Sequence, residues 1–147
     1  MKHFKSLYYS ASILLVTLGL LFLIGCEEEE QIESIIPDGT YIGTFQRELV
    51  WRDSDTANIT ITFSENSWNG TSDMLKYPGL QKGSYSIKGD SIVFTNGGFW
   101  TAEFDHTLLL EGKYLYKKSD HSIEFTRDYR SESADTFIDI YKLKKEE

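Results

Sequence analysis

Two hydropathy patterns divide the chain. Residues 8–25 carry no charged side chain and hold a dense apolar run from Ile13 to Ile24. From Thr40 to Leu143 the apolar residues recur instead at every second position, in short runs separated by turn residues. Period two predicts strands with one buried face, and no stretch after Pro37 carries the period of a long amphipathic helix. The first strand spans 40–50, with Tyr41, Gly43 and Phe45 on one face. The next spans 57–64, with Ile59, Ile61 and Phe63 inward, and 67–72 follows with Trp68 as its inward anchor. Tyr85 and Ile87 mark a strand over 83–88, and Ile92 and Phe94 one over 91–95. Trp100, Ala102 and Phe104 alternate as a further strand, interrupted at Asp105-His106. Leu108 and Leu110 then run in register into Gly112, Tyr114 and Tyr116. Ile123 and Phe125 define 122–127, residues 128–134 are polar, and 136–143 is the last strand. Its buried face is open, because Ile138 and Ile140 compete with Phe137, Tyr141 and Leu143. Gly43 and Gly112, lacking side chains within strands, mark a bend or the close approach of a neighbour.

Residues 73–82 break the alternation at Pro78-Gly79, as a loop over one end of the sheet or as a distorted strand. Residues 37–147 are a single domain's worth of chain. They predict an all-β domain of eight or nine antiparallel strands joined mostly by short turns. Eight such strands can close into a barrel, which removes the exposed edges that invite pairing with other chains. A small lipocalin-like up-and-down barrel is the expected architecture, and a two-sheet β-sandwich is the alternative.

The leading segment has a different chemistry. Lys2 and Lys5 precede the apolar run, and Gly25 and the chain's one cysteine, Cys26, follow it. A basic start, an apolar centre and a small residue at the end are the parts of a secretory signal. Leu23-Ile24-Gly25-Cys26 resembles the bacterial lipobox, in which the cysteine is acylated and the signal removed before it. The resemblance implies a signal peptide over 1–25, Cys26 as the lipidated first mature residue, and a membrane anchor through two or more acyl chains. A retained transmembrane helix is the alternative. Residues 26–36 then form the lipidated cysteine and a tether, whose acids Glu27 to Glu30 and Glu33 repel one another and stay solvated. An acidic run placed directly after a lipidated cysteine also resembles the surface-export signal of Bacteroidetes lipoproteins. That favours the outer membrane, on its periplasmic or external face.

The formal net charge is −8. Loss of the leader would remove two lysines and no acid, making the mature chain more acidic. Nucleic acid and anionic lipid surfaces are poor partners for it. A single cysteine excludes an intrachain disulfide and a CxxC redox pair.

Gly39-Thr40-Tyr41-Ile42-Gly43, Asn58 to Phe63, Gly83 to Phe94 and Asp139 to Leu143 look like the small lipocalin-like lipoproteins of Bacteroidetes. The resemblance covers most of 37–147 and implies a calycin-type barrel in an envelope setting. It implies no activity and carries over no catalytic residue. The Gly-x-Trp of larger lipocalins is replaced here by Gly39-Thr40-Tyr41.

Aromatic residues are the other prominent feature. Phe45, Phe63, Phe94, Phe104 and Phe125 are expected in the core. Tyr41, Trp68, Tyr85, Trp100 and Tyr114 could line a small apolar pocket near one mouth, since Tyr and Trp combine an apolar body with one polar bond. Trp51, Leu75, Tyr77 and Leu80 lie in loops, where they could either form a protein interface or fold back as a lid. Asp53-x-Asp55 lacks the ligand count and spacing of a calcium loop. His106 and His121, beside scattered acids, are weak grounds for zinc. No Gly-x-Ser-x-Gly elbow is present. Asn58-x-Thr60 and Asn69-x-Thr71 match the N-glycan pattern, incidentally in a bacterial chain. The expected function is a non-enzymatic envelope lipoprotein with no cofactor, binding a small apolar ligand or a protein partner. A structural β domain with a filled core is the alternative, and a hydrolase stands behind both.

Overall fold

The computed structural model describes residues 35–49, 51–130 and 137–147. The leader, Cys26, the tether up to Ser34 and the polar segment 131–136 lie outside the described residues. Eight antiparallel strands close into a barrel in simple sequence order. They are β1 (Gly39–Leu49), β2 (Thr56–Ser64), β3 (Ser67–Ser72), β4 (Lys82–Lys88), β5 (Ser91–Asn96), β6 (Gly112–Lys118), β7 (Ser122–Asp128) and β8 (Phe137–Lys145). Closure comes from β8 pairing with β1, from Tyr41 opposite Lys145 to Leu49 opposite Phe137. No sandwich forms, and the described residues make eight strands.

The alternation builds the interior. Tyr41 and Phe45 of β1, Ile59, Ile61 and Phe63 of β2, and Ile123 and Phe125 of β7 are buried. In β8 the inward set is Asp139, Tyr141 and Leu143, while Ile138 and Ile140 are half-buried. An eight-stranded barrel is just wide enough for side chains to fill, and aromatic rings fill this one. Phe94 packs edge-on to Trp68 at 6.0 Å and to Tyr114 at 5.7 Å, and Phe125 stacks on Tyr141 at 4.6 Å. Gly43 is the close approach anticipated from its position: a Cβ there would collide with the Lys142 carbonyl of β8. The closing seam therefore depends on that bare position.

Three expectations are corrected. Trp100, Ala102 and Phe104 form no strand; residues 97–111 are a loop holding one short 3-10 helix, His106–Leu108. Side chains take the backbone bonds that a ladder would use. Asn96 Oδ1 accepts from the Gly98 amide and from Trp100 Nε1. The Gln81 amide bonds the backbone of Phe99 in both directions. Asp105 caps the helix by accepting from the Thr107 amide at 3.0 Å. Leu108 and Leu110 therefore do not continue β6. Gly112 does not bend a long strand but opens β6, with φ +89°, a conformation other residues adopt rarely. Residues 73–81 are a loop, not a distorted strand.

All turns of two or three residues, at 65–66, 89–90 and 119–121, fall at one end of the barrel, as does the entering segment 35–38. The long connections 73–81 and 97–111 fall at the other, as do the described residues 51–55 and 129–130.

Candidate functional site

The two ends are built differently. At the short-turn end Ile36 is fully buried within the core cluster, one residue into the stretch read as tether. The segment is held by the Tyr41 hydroxyl, which donates to the Pro37 carbonyl at 3.0 Å, and by Lys118 Nζ on the Ile35 carbonyl at 3.2 Å. The Tyr85 hydroxyl donates to the Glu65 carbonyl at 2.8 Å. This end is sealed.

At the loop end a charged pair lies inside the barrel. Arg47 follows Phe45 on the inward register of β1, and Asp139 precedes Tyr141 on that of β8. Arg47 Nε donates to Asp139 Oδ1 at 2.6 Å and Nη2 to Oδ2 at 2.7 Å, the fork-to-fork geometry of the strongest ion pairs. Nη1 donates to Thr107 Oγ1 at 2.9 Å and Nη2 to the Thr107 carbonyl at 2.7 Å, so the 97–111 loop is clasped onto the mouth. The guanidinium lies 3.6 Å from the Phe137 ring centroid. Burial alone would lower the Arg47 pKa, but the hydrogen bond and charge of Asp139 more than offset it and hold it above its usual value. Burial raises Asp139 above the ordinary carboxylate value, against the pull of Arg47. The hydrogen bond from Thr107 lowers Asp105, whose carboxylate stands 3.9 Å from Arg47.

Above the pair is an open cleft of about 540 Å³ bordered by Arg52, Asp53, Asp55, Tyr77, Thr107 and Phe137. Tyr77 is half-buried and turned inward. Its ring packs on Phe45 at 4.9 Å, and its hydroxyl accepts from the Arg47 amide at 3.1 Å and donates to the Asp55 carbonyl at 3.0 Å. It folds back as a lid. Leu80 is buried as well. By contrast Trp51 is 82% exposed, Leu75 91% and Phe99 92%, each on a different loop of this end.

Of the five candidate pocket residues, Tyr41, Trp68, Tyr85 and Tyr114 come together as packed interior. Trp100 lies outside the barrel, tilted against Phe104 at 4.4 Å. It borders an open cleft of about 290 Å³ together with Leu75 and Gln81, so one residue from each expected set meets there. Among the described residues the Trp68 indole N–H and the Tyr116 hydroxyl are buried without a hydrogen-bond partner. Arg47, Asp139 and Phe99 were not anticipated from the sequence. The signal for the first two was present: each continues the inward alternation, one on the first strand and one on the last, which closure brings together. Among the described residues no group of three or more His, Cys, Asp or Glu side chains is placed to hold a metal ion.

Comparison with family models, curated proteins and solved structures finds no match to this chain.

Proposed function

We propose that the protein is a lipid-anchored, non-enzymatic binding module of the cell envelope that engages a protein partner through its loop end. The observation that carries this reading is the exposure of Trp51, Leu75 and Phe99 on three separate loops of one end. Exposed aromatic and large aliphatic side chains are the usual anchors of protein interfaces. Two of the three sit on braced backbone: the Gln81 side chain grips Phe99 from both sides, and Leu75 follows Met74, which packs against the core. Preorganised anchors lose little freedom on binding. The filled interior favours this over an apolar ligand inside the barrel, and it is equally compatible with a structural envelope domain. The chain enters the barrel at its sealed end, so the covalent connection to Cys26 leaves from that end.

Photo-crosslinkers placed at positions 75 and 99, and at Lys88 on the sealed end as control, test the reading in intact cells. One protein captured from both loop positions and not from 88, whose affinity for the purified chain falls at least tenfold when Trp51, Leu75 and Phe99 become Ala, would support it. Equal capture from both ends would overturn the docking reading. Intact-mass measurement of native protein showing an unacylated Cys26, or a retained leader, would overturn the anchor.

A further inference from the structure

Arg127, near the end of β7, stands directly across from Asp139 of β8 and feels its charge, yet among the described residues it forms no ion pair. Arg47 is saturated by Asp139 and Thr107, and Arg130 folds onto Asp128. Among the described residues no carboxylate oxygen comes within ion-pair distance of Arg127. Backbone and rings position it instead. Nη1 donates to the Glu111 carbonyl at 2.6 Å, and the guanidinium carbon lies 4.4 Å from the Tyr129 ring centroid and 5.8 Å from that of Tyr114. Gly112 makes the room: a Cβ there would lie 2.6 Å from Arg127 Nη1. The start of β6 is thus shaped around this guanidinium.

Arg127 borders an open cleft of about 370 Å³ whose other walls include His106, Thr107, Glu111 and Tyr129. The buried Tyr114 hydroxyl sits against the Arg127 side chain and is not part of the cleft wall. A guanidinium held by a carbonyl and aromatic rings, whose cross-strand carboxylate is committed to Arg47, complements an oxygen anion. We propose that this cleft binds a carboxylate group, with Arg127 as the recognising residue. A planar guanidinium fork matches a planar carboxylate in a way that an ammonium does not. The overall negative charge does not forbid it, because salt screens exposed charges beyond about 10 Å at 0.1 M. The Glu111 side chain is exposed on the rim and repels further negative charge, so the site selects monovalent carboxylates over phosphate. This is independent of the docking reading: it would stand if no protein ever touched Leu75 or Phe99.

The test uses the full chain in detergent, isotopically labelled, titrated with acetate, inorganic phosphate, N-acetyl-alanyl-alanine and the C-terminal amide of that dipeptide. Acetate and the dipeptide acid are expected to move the resonances of His106, Gly112 and the Arg127 side chain saturably. The amide and phosphate should act at least tenfold more weakly. Arg127→Gln should weaken the acids at least tenfold, and Lys88→Gln, at the sealed end, should leave them unchanged. Should Arg127→Gln melt abnormally, Arg127→Lys keeps the charge without the fork and is expected to lose at least threefold. A dipeptide acid binding tenfold more tightly than acetate would identify a chain terminus as the natural source; equal affinity would identify a free small acid. Shifts scattered over exposed lysines, an amide as effective as the acid, or full affinity in both Arg127 variants would overturn the proposal.

Discussion

The sealed end and the loop end solve the same problem, closing a barrel mouth, by opposite chemistry. At the sealed end an apolar side chain, Ile36, fills the space, and neutral tyrosines hold the backbone around it. Burial pushes Tyr85 and Tyr116 up to about 12, so neither carries charge in the physiological range. At the loop end an ion pair between residues 92 positions apart does the closing, with bonds to one loop and a ring packed over it. An apolar plug is graded, because its contribution follows the volume buried. A buried ion pair is all or nothing, since removing one partner strands the other in a low-dielectric interior. The difference teaches where the molecule is tolerant and where it is brittle.

The largest expected effect breaks the pair. Asp139→Ala should destabilise the fold by about 3–5 kcal/mol in urea melts, because Arg47 is left buried and unmatched. Arg47→Lys should not rescue the geometry, since it keeps the charge but loses the fork. Ile36→Ala comes next, at about 2–4 kcal/mol, and Ile36→Val should cost only about 1 kcal/mol. The comparison turns on that contrast: a steep series at 47 and 139 and a graded one at 36. A mild effect of Asp139→Ala would mean that the clasp is not what closes the loop end.

Smaller effects separate the components of the loop end. Tyr77→Phe removes the hydroxyl that joins the Arg47 amide to the Asp55 carbonyl, and should cost about 1 kcal/mol. Acid provides another handle. The folded pKa of Asp105 lies below the usual 3.8, so its contribution is present above that value and is lost as pH falls through the folded pKa. Burial shifts Asp139 upward, so the stability that its proton linkage adds is fully present below the ordinary value and is lost as pH rises through the folded pKa, leaving the ionised pair to close the mouth. The two oppose each other in a whole-protein melt, and local exchange separates them. Amide exchange at Thr107 and Leu108, corrected for intrinsic rate, should speed up as pH falls below the ordinary carboxylate value of 3.8 and through the lower folded pKa of Asp105. Asp105→Asn should flatten that dependence, and an unchanged profile would remove Asp105 from the clasp.

Much of the barrel was legible because half-buried strands write their register into every second residue. Tyr41 and Phe45, Ile59 to Phe63, and Ile123 and Phe125 all point as their alternation requires. The 97–111 loop was not legible, because Trp100, Ala102 and Phe104 imitate the period of a strand. What holds them out of a ladder is distant or side-chain chemistry: the Gln81 amide, the Asn96 cap on Gly98 and the Asp105 cap on Thr107. Phe99 was overlooked because in that false strand it falls on the face opposite Trp100. Arg47 and Asp139 read as surface charges when each strand is taken alone. Only closure, which sets Arg47 of β1 directly opposite Asp139 of β8, makes them a pair.

The smallest expected effect on stability is also the most telling about function. Trp51, Leu75 and Phe99 bury little of their own surface, so changing each to Ala should alter stability by no more than about 0.5 kcal/mol. The three lie on different loops, and their effects should add. A residue kept for packing cannot behave this way, whereas a residue kept for an encounter must. Folded, fully stable triple variants that lose partner capture would place the function on the loop tips. Stability losses of 2 kcal/mol or more would show that these side chains pack in solution, and the loop end would then be a second sealed mouth.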